Sequence, residues 1–357
     1  MSASFPPSSA RDRLHAATLV DGLSSHLSVE ALTQDPTAWE APPGLSGPVL
    51  ERWGLGRADP GLPARYLAER AHLTRCAGWF RTPVDPDWPL DNALYGVLRG
   101  RGRLPEGPRL GVIGSRKADP YGLEIAGRLA QSAAARGVAV VSGGAFGIDV
   151  AAHRGALASG GETVVVLGSG LNHPSPRAHL SVFEAAAHRG AVVSCFPCAL
   201  PPARWTFLRR NAWVAALSSA LVVVQAGRRS GALSTAAHAL RMNRPVWVVP
   251  GPLDAPLHRG CHQLVGRGAR LLTSVDAWAE VVHEQTVEQD DDRAPDEGRR
   301  LWDAAGVEPV PLAALARRAE LPIGEAMVTA TRLELSGWFR QAPGTRYARA
   351  RPPRRLS

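Results

Sequence analysis

Between residues 110 and 273 the chain alternates short apolar runs, rich in β-branched residues, with longer segments whose apolar positions recur every three or four residues. The runs are 110–113, 138–142, 163–167, 191–194, 221–225 and 246–249, and Leu271 with Leu272 suits a short edge strand. Unbroken apolar runs of this length fit strands buried on both faces, as in a parallel sheet. In the first intervening segment Ile125, Leu129 and Ala133 share one helical face; in the second Val150, His153, Ala156 and Leu157 do. Further helices are expected near 176–188, 209–217 and 230–242. The pattern predicts a doubly wound, mostly parallel α/β sheet. The first strands end in small residues: Gly114-Ser115, Gly143-Gly144 and Gly168-Ser169-Gly170. Ligands of such sheets bind beyond the carboxyl ends of the strands, where glycine admits a close approach and helix N-termini favour anions. A phosphate-bearing ligand is expected. No G-x-G-x-x-G follows the first strand and no G-x-x-x-x-G-K-[ST] occurs, which disfavours an ordinary dinucleotide or nucleoside-triphosphate site.

The flanks read differently. Residues 1–78 form a proline-interrupted helical pattern, with Leu14, Leu19, Leu23, Leu27 and Leu32 on one side and Tyr66, Leu67 and Leu73 on another. This predicts a small N-terminal helical domain whose first ten or so residues are disordered. Residues 79–108 read as a connector anchored by Trp79 and Trp88, and the sheet domain is expected over 79–283. Residues 284–300 are acidic and polar, and read as a linker. In 301–357, Leu312, Leu315 and Ala316 mark one helix, and Pro322-Ile323-Gly324 opens another with Ala326, Met327, Ala330 and Leu333 inward. A hairpin from 335 to 347 completes a winged helix. Its tail carries Arg346, Arg349, Arg351, Arg354 and Arg355, which suits DNA, although such domains also bind proteins.

Composition sharpens the ligand class. The chain has 357 residues and a formal charge of +9, which favours a polyanion, nucleic acid first. Lys117 is the one lysine, so the arginine bias is partly genomic, but the excess of base over acid is not. No run spans a bilayer and the N-terminus lacks a signal peptide's apolar core, so a cytoplasmic protein without a membrane partner is expected. Cys76, Cys195, Cys198 and Cys261 are expected to be reduced thiols, because a lone C-x-x-C flanked by prolines is a weak metal or redox signal.

Three constellations carry candidate chemistry. Gly114, Ser115 and Arg116 offer a hydroxyl and a planar cation for phosphate oxygens, against the alternative of a turn with a surface arginine. Gly143 and Gly144 bring backbone N–H groups to a second phosphate, or simply permit tight packing. Arg204, Phe207, Arg210 and Asn211 suit a single strand, with cations tracking phosphates and an aromatic face stacking a base. There Phe207 competes with a core role, Trp205 with Phe207, and Asn211 with a helix cap. Asp149 and His153 share a helix face, but a structural histidine is the expected reading. Ser230-Gly231 and Pro250-Gly251 stand at later strand ends and are candidates for the same groove.

Together the runs GSRKADPYG (114–122), VVSGGAFGIDVAAHRGAL (140–157), TVVVLGSGLNHPSPRAHL (163–180), FLRRN (207–211) with AALS (215–218), SGALSTAAHAL (230–240) and VPGPLD (249–254) resemble the bacterial DNA-processing family DprA (Smf). The resemblance covers the middle domain; the Asp-Trp-Pro connector and the winged helix look similar too. It implies an extended Rossmann-like fold that binds single-stranded DNA (ssDNA) without catalysis or cofactor. It also implies a homodimer that loads the RecA recombinase in natural transformation. It places the phosphate pocket on Ser115, Arg116 and neighbouring glycines, the basic residue on Arg204, the stacking ring on Phe207, and an Arg-Asn pair on Arg210 and Asn211. Departures are Ala212 for an arginine, with Arg209 as a substitute, Cys195 for a glutamate and His173 for a tyrosine. Two other readings stand beside this one. A Rossmann-type nucleoside-monophosphate glycohydrolase would resemble P-G-G-x-G-T-x-x-E, but Pro250-Gly251-Pro252-Leu253 lacks the glutamate. A duplex-binding regulator would work through the winged helix.

Overall fold

The computed structural model describes residues 61–82, 85, 88–90, 96–279, 282, 298–306, 309–335 and 338–349. They fall into two compact units, one within residues 1–283 and one within 284–357.

In the first unit α1 (Leu62–Arg75) leads to β1 (Gly78–Arg81) and β2 (Leu98–Gly102). The alternation then runs β3 (Arg109–Ile113), α2 (Pro120–Ala135), β4 (Ala139–Ser142), α3 (Ile148–Ala158), β5 (Thr163–Val166), α4 (Leu180–Arg189) and β6 (Ala191–Ser194). It continues with α5 (Arg204–Leu217), β7 (Ala220–Val223), α6 (Ala232–Arg241), β8 (Val246–Val248), α7 (Arg259–Val265) and β9 (Arg270–Leu271). One sheet holds them in the order β1-β2-β6-β5-β4-β3-β7-β8-β9. From β6 to β9 all pairing is parallel; β2 and β1 add antiparallel. The doubly wound, mostly parallel sheet read from the apolar runs is the one observed.

Two-sided burial explains the runs. Val141, Val164, Val166, Val193, Leu221 and Val223 pack toward α5 and α6. Their strand neighbours Leu110, Val112, Val140 and Val222 pack toward α2 and α3, and Val165 and Val192 toward Phe183 of α4. The order reverses at β3, which lies between β4 and β7, and a crevice opens at such a switch point. α2 starts there, where the Asp119 side chain accepts the Gly122 N–H at 2.9 Å and Pro120 presets the first turn.

Some expectations change. The 79–108 connector contains β1 and β2. Their sequences, Gly-Trp-Phe-Arg and Leu-Arg-Gly-Arg-Gly, lack the apolar alternation of a strand. Arg99 is tolerated in full burial because Glu69 of α1 forms an ion pair with it, while the other Glu69 oxygen accepts the Cys198 N–H at 2.9 Å. Trp79 and Trp88 do pack on the core as expected, Trp79 donating to the Gly102 carbonyl at 2.6 Å and Trp88 meeting Trp213 edge-on at 6.1 Å. Tyr66 and Leu73 are buried, whereas Leu67 is exposed. Leu14, Leu19, Leu23, Leu27 and Leu32 lie outside the described residues. α5 begins at Arg204, five residues earlier than its periodicity suggested. The Thr206 hydroxyl accepts the Ala203 N–H at 3.0 Å and donates to the Gly168 carbonyl, fixing the first turn just after Pro201-Pro202. No described helix is long and apolar enough to cross a membrane.

His153 is a structural residue. It is fully buried, and its Nδ1 lies 2.7 Å from the Thr163 hydroxyl. That hydroxyl donates to the Val140 carbonyl, so Nδ1–H is the donor to Thr163. Burial, assisted by Arg210, pushes the His153 pKa down to about 3. The folded chain therefore keeps His153 neutral while the unfolded chain protonates it below about 6.5. Stability from this group is complete above pH 6.5 and is lost as pH falls toward 3, by at most about 1.4 kcal/mol per pH unit. Urea unfolding between pH 7 and pH 4 should show a shallower acid-side loss for His153→Gln than for the native chain; parallel curves would contradict this.

The second unit contains α8 (Arg299–Asp303), β10 (Val310–Pro311), α9 (Leu312–Arg318), α10 (Ile323–Leu335), β11 (Phe339–Ala342) and β12 (Arg346–Arg349), with the sheet ordered β10-β12-β11. It is a winged helix whose hairpin gains a third strand. Leu312, Leu315, Ala316, Ala326, Ala330, Leu333, Phe339 and Tyr347 form its core. Met327, expected inward, is exposed, because Ala326, Ala330 and Leu333 already define the buried stripe and Met327 is rotated about 100° from it. Arg346 is tied to the backbone, donating twice to the Pro309 carbonyl. The acidic stretch 284–297 and the tail 350–357 lie outside the described residues.

Candidate nucleic-acid interface

A cavity of about 710 Å³ opens at the switch point, where the loops after β3, β4 and β7 meet the first turns of α5. Its wall brings together Gly114, Ser115, Arg116, Gly143, Arg204, Phe207, Arg210 and Asn211. Gly144 is not part of that wall. It takes the left-handed turn at φ 70°, which its lack of a side chain permits, and its carbonyl accepts from His179 Nδ1 at 2.9 Å.

The β3 loop supplies the first contacts. The Ser115 N–H donates to the Gln225 carbonyl at 2.7 Å, and the Ser115 hydroxyl accepts the Lys117 N–H at 3.1 Å. This fixes the turn and leaves Arg116 exposed. The Arg116 guanidinium lies 5.2 Å from the centre of the Phe207 ring, a cation–π distance. Phe207 is half-buried, with its ring against Gly168, where a Cβ would collide with it. Of the two competing rings, Phe207 lines the cavity; Trp205 stands outside it, edge-on to Phe196 at 5.7 Å.

Arg210 is the buried member, only 4% exposed. Its Nη1 donates to the Val166 carbonyl at 2.7 Å, and Gly143 leaves the space its guanidinium fills, since a Cβ there would fall on it. Burial lowers the Arg210 pKa, with Asp149 pulling the other way, but an arginine stays protonated. Burial likewise raises the Asp149 carboxyl against the pull of Arg210. Asp149 Oδ2 accepts the Ala145 N–H at 3.3 Å. Asn211 sits inside α5 and does not cap it; its amide donates to the Gly231 carbonyl at 3.3 Å, tying α5 to the β7 loop.

Other candidates separate. Ser230 and Gly231 line the cavity, but Pro250 and Gly251 do not, and Gly251 packs against the His258 ring. Arg209 is outside the wall, and Ala212, where the resemblance expects an arginine, is buried. Lys117 and Arg229 were not singled out from the sequence, yet both line the cavity. Arg229 stands in Gly227-Arg228-Arg229-Ser230, directly beyond β7. Treating β7 as the second wall of the switch point would have found it. The wall thus carries Arg116, Lys117, Arg204, Arg210 and Arg229 against a single carboxylate, Asp149. The cysteines take no part. They are free thiols, and burial pushes Cys195 and Cys198 up to about 12. The described residues hold no His/Cys/Asp/Glu group fit for a metal.

Comparison with known proteins gives a consistent answer. The family model of DNA recombination-mediator protein A matches residues 90–283, and that of the DprA winged helix domain matches 285–345. Protein Smf of Escherichia coli is 38% identical over 325 residues, covering 83% of this chain and 85% of that protein. A DprA-named protein of Mycobacterium tuberculosis is 42% identical over 231 residues, but the match spans only 59% of either chain. Among solved structures, DNA processing protein A of Streptococcus pneumoniae superposes with a TM-score of 0.60 at 27% identity, over 75% of this chain and 96% of that one. DNA processing protein A of Helicobacter pylori, described for its single-stranded DNA binding mode, gives 0.52 at 26% identity, over 58% and 97%. With a sheet domain, a winged helix and a relative matched over most of its length all in agreement, this chain belongs to the DprA/Smf family of DNA-processing proteins.

Proposed function

We propose that this chain binds ssDNA without sequence preference at the switch-point cavity and passes it to the RecA recombinase, as a non-catalytic cytoplasmic homodimer acting in recombination and natural transformation. The observation that carries the binding step is the gathering of five cations in the wall of a cavity that also holds one accessible aromatic ring, with Arg116 over that ring. Phosphates lie along Ser115, Arg116, Arg204 and Arg210, and a base stacks on Phe207. The Arg116 guanidinium now over that ring moves aside onto a phosphate when a base arrives, so one side chain serves both states. The single-stranded DNA binding mode in the H. pylori relative's description supports this reading. So does the cavity's one carboxylate, Asp149, whose oxygen is already engaged by the Ala145 N–H, a poor arrangement for hydrolytic chemistry.

Fluorescence anisotropy with labelled oligo-dT tests it. The affinity should fall with salt, log K against log[salt] declining by about 0.7 for each phosphate contacted, and an unlabelled duplex of equal length should compete poorly. A chain that prefers duplex, and loses that preference when residues 301–357 are removed, would instead be a duplex-binding regulator.

A further inference from the structure

Phe146 is half-exposed, at 50%, in a position where exposure serves no packing purpose. It lies in the β4 loop between Gly144 and Gly147, whose positive φ angles of 70° and 76° turn the chain outward on both sides of it. Its neighbour Ala145 lines the cavity. The ring is held on one side: the His179 ring lies 4.6 Å away at 63°. His179 is itself buried and fixed by its bond to the Gly144 carbonyl and by Phe183, 6.2 Å behind it at 88°. Arg177, exposed, precedes His179 on the same short turn, and Leu180, 38% exposed, follows it. The ring is therefore anchored by its contact with His179 while half of it remains open to solvent.

The topology says where that surface lies. Phe207 rises from α5, which covers the sheet face of Val141 and Val164. Phe146 rests on the start of α4, which covers the opposite face at Val165 and Val192. The two rings flank the ends of the adjacent strands β4 and β5 from opposite sides of the sheet. The loop that carries Phe146 also lends Gly143 and Ala145 to the wall of the cavity that Phe207 lines.

We infer that Phe146 is a second base-stacking platform, which takes a neighbouring nucleotide of the same single strand on the far side of the strand ends. The inference rests on the proposed ssDNA binding and adds the path of the strand beyond the cavity. An anchoring ring and a stacking ring differ in what replaces them. Leucine preserves packing on His179 but has no aromatic face, whereas tryptophan supplies a larger one.

The test uses the full chain. Phe146→Leu should bind oligo-dT about tenfold more weakly, within the range of a lost base stack, and Phe146→Trp should bind at least as well as the native chain. The native chain is also irradiated with oligo-dT carrying 5-iododeoxyuridine and digested with trypsin. Cross-links are expected on peptide 205–209, which contains Phe207, and on peptide 137–154, where Phe146 is the one Phe, Tyr or Trp. Cross-links on 205–209 alone, with Phe146→Leu binding normally, overturn the second platform and leave the cavity intact. A native chain that binds no oligo-dT and cross-links at neither peptide removes both.

Discussion

A chain carrying Arg116→Ala and Phe207→Ala together is expected to bind oligo-dT about a hundredfold more weakly than the native chain. The loss of a base stack accounts for roughly 1–3 kcal/mol, and that of a charge-assisted phosphate bond for about 1.5 kcal/mol more; a hundredfold corresponds to about 2.7 kcal/mol. The single variants should not add up to the double. The two side chains touch, at 5.2 Å from guanidinium to ring centre, and residues in contact show coupling. Arg116→Ala removes a phosphate ligand but also uncovers the Phe207 ring, so its loss is partly offset. Phe207→Ala leaves Arg116 without its resting place yet free to meet a phosphate. Anisotropy titrations of the three variants form the double-mutant cycle. A double variant that binds like the native chain excludes the cavity as the site, and strict additivity excludes the exchange of the guanidinium between ring and phosphate. Arg116 is exposed and Phe207 is only half-buried at the cavity, so the fold should survive both changes.

Glu69→Ala should do the reverse: cost stability and spare the site. Its carboxylate pairs with Arg99, whose side chain is fully buried, and its other oxygen takes the Cys198 N–H. Removing one partner of a buried pair leaves the other charge in a low-dielectric setting, at a cost of about 3–5 kcal/mol. Urea unfolding should show a midpoint lowered accordingly, while oligo-dT affinity under folding conditions remains native. A midpoint within about 0.5 kcal/mol of native would mean that water reaches Arg99. Replacing both residues by apolar ones of similar volume should recover much of the loss, since the pair's own net contribution is small.

The parallel sheet was legible because strands buried on both faces leave no choice of residue: β4, β5, β6 and β7 are buried at every position. β1 and β2 were not, because an antiparallel pair at the margin of the sheet is free to use glycine and arginine, and the compensation for Arg99 lies thirty residues away in α1. Likewise, the start of α5 was hidden by arginines and a threonine whose hydroxyl is anchored on the Gly168 carbonyl, remote in sequence. At the site, the residues on the β3 loop and α5 were readable from glycine turns and basic-aromatic spacing. What the sequence withheld was depth. Arg210 and Arg204 look alike in the chain, yet one is buried against a backbone carbonyl and the other is open. Nor did any local pattern mark Phe146 as exposed, since an aromatic beside a strand end is usually a core residue.

The antiparallel pair has one more consequence. β6, Ala191–Ser194, is a wholly buried, mostly apolar strand and would template pairing with a neighbouring molecule if its outer N–H and C=O groups were bare. β2 occupies that ladder, and β1, four residues long, ends the sheet with the Arg81 guanidinium 4.6 Å over the Trp79 ring. A short, charged, glycine-bearing hem thus shields a sticky strand from fibre-like growth.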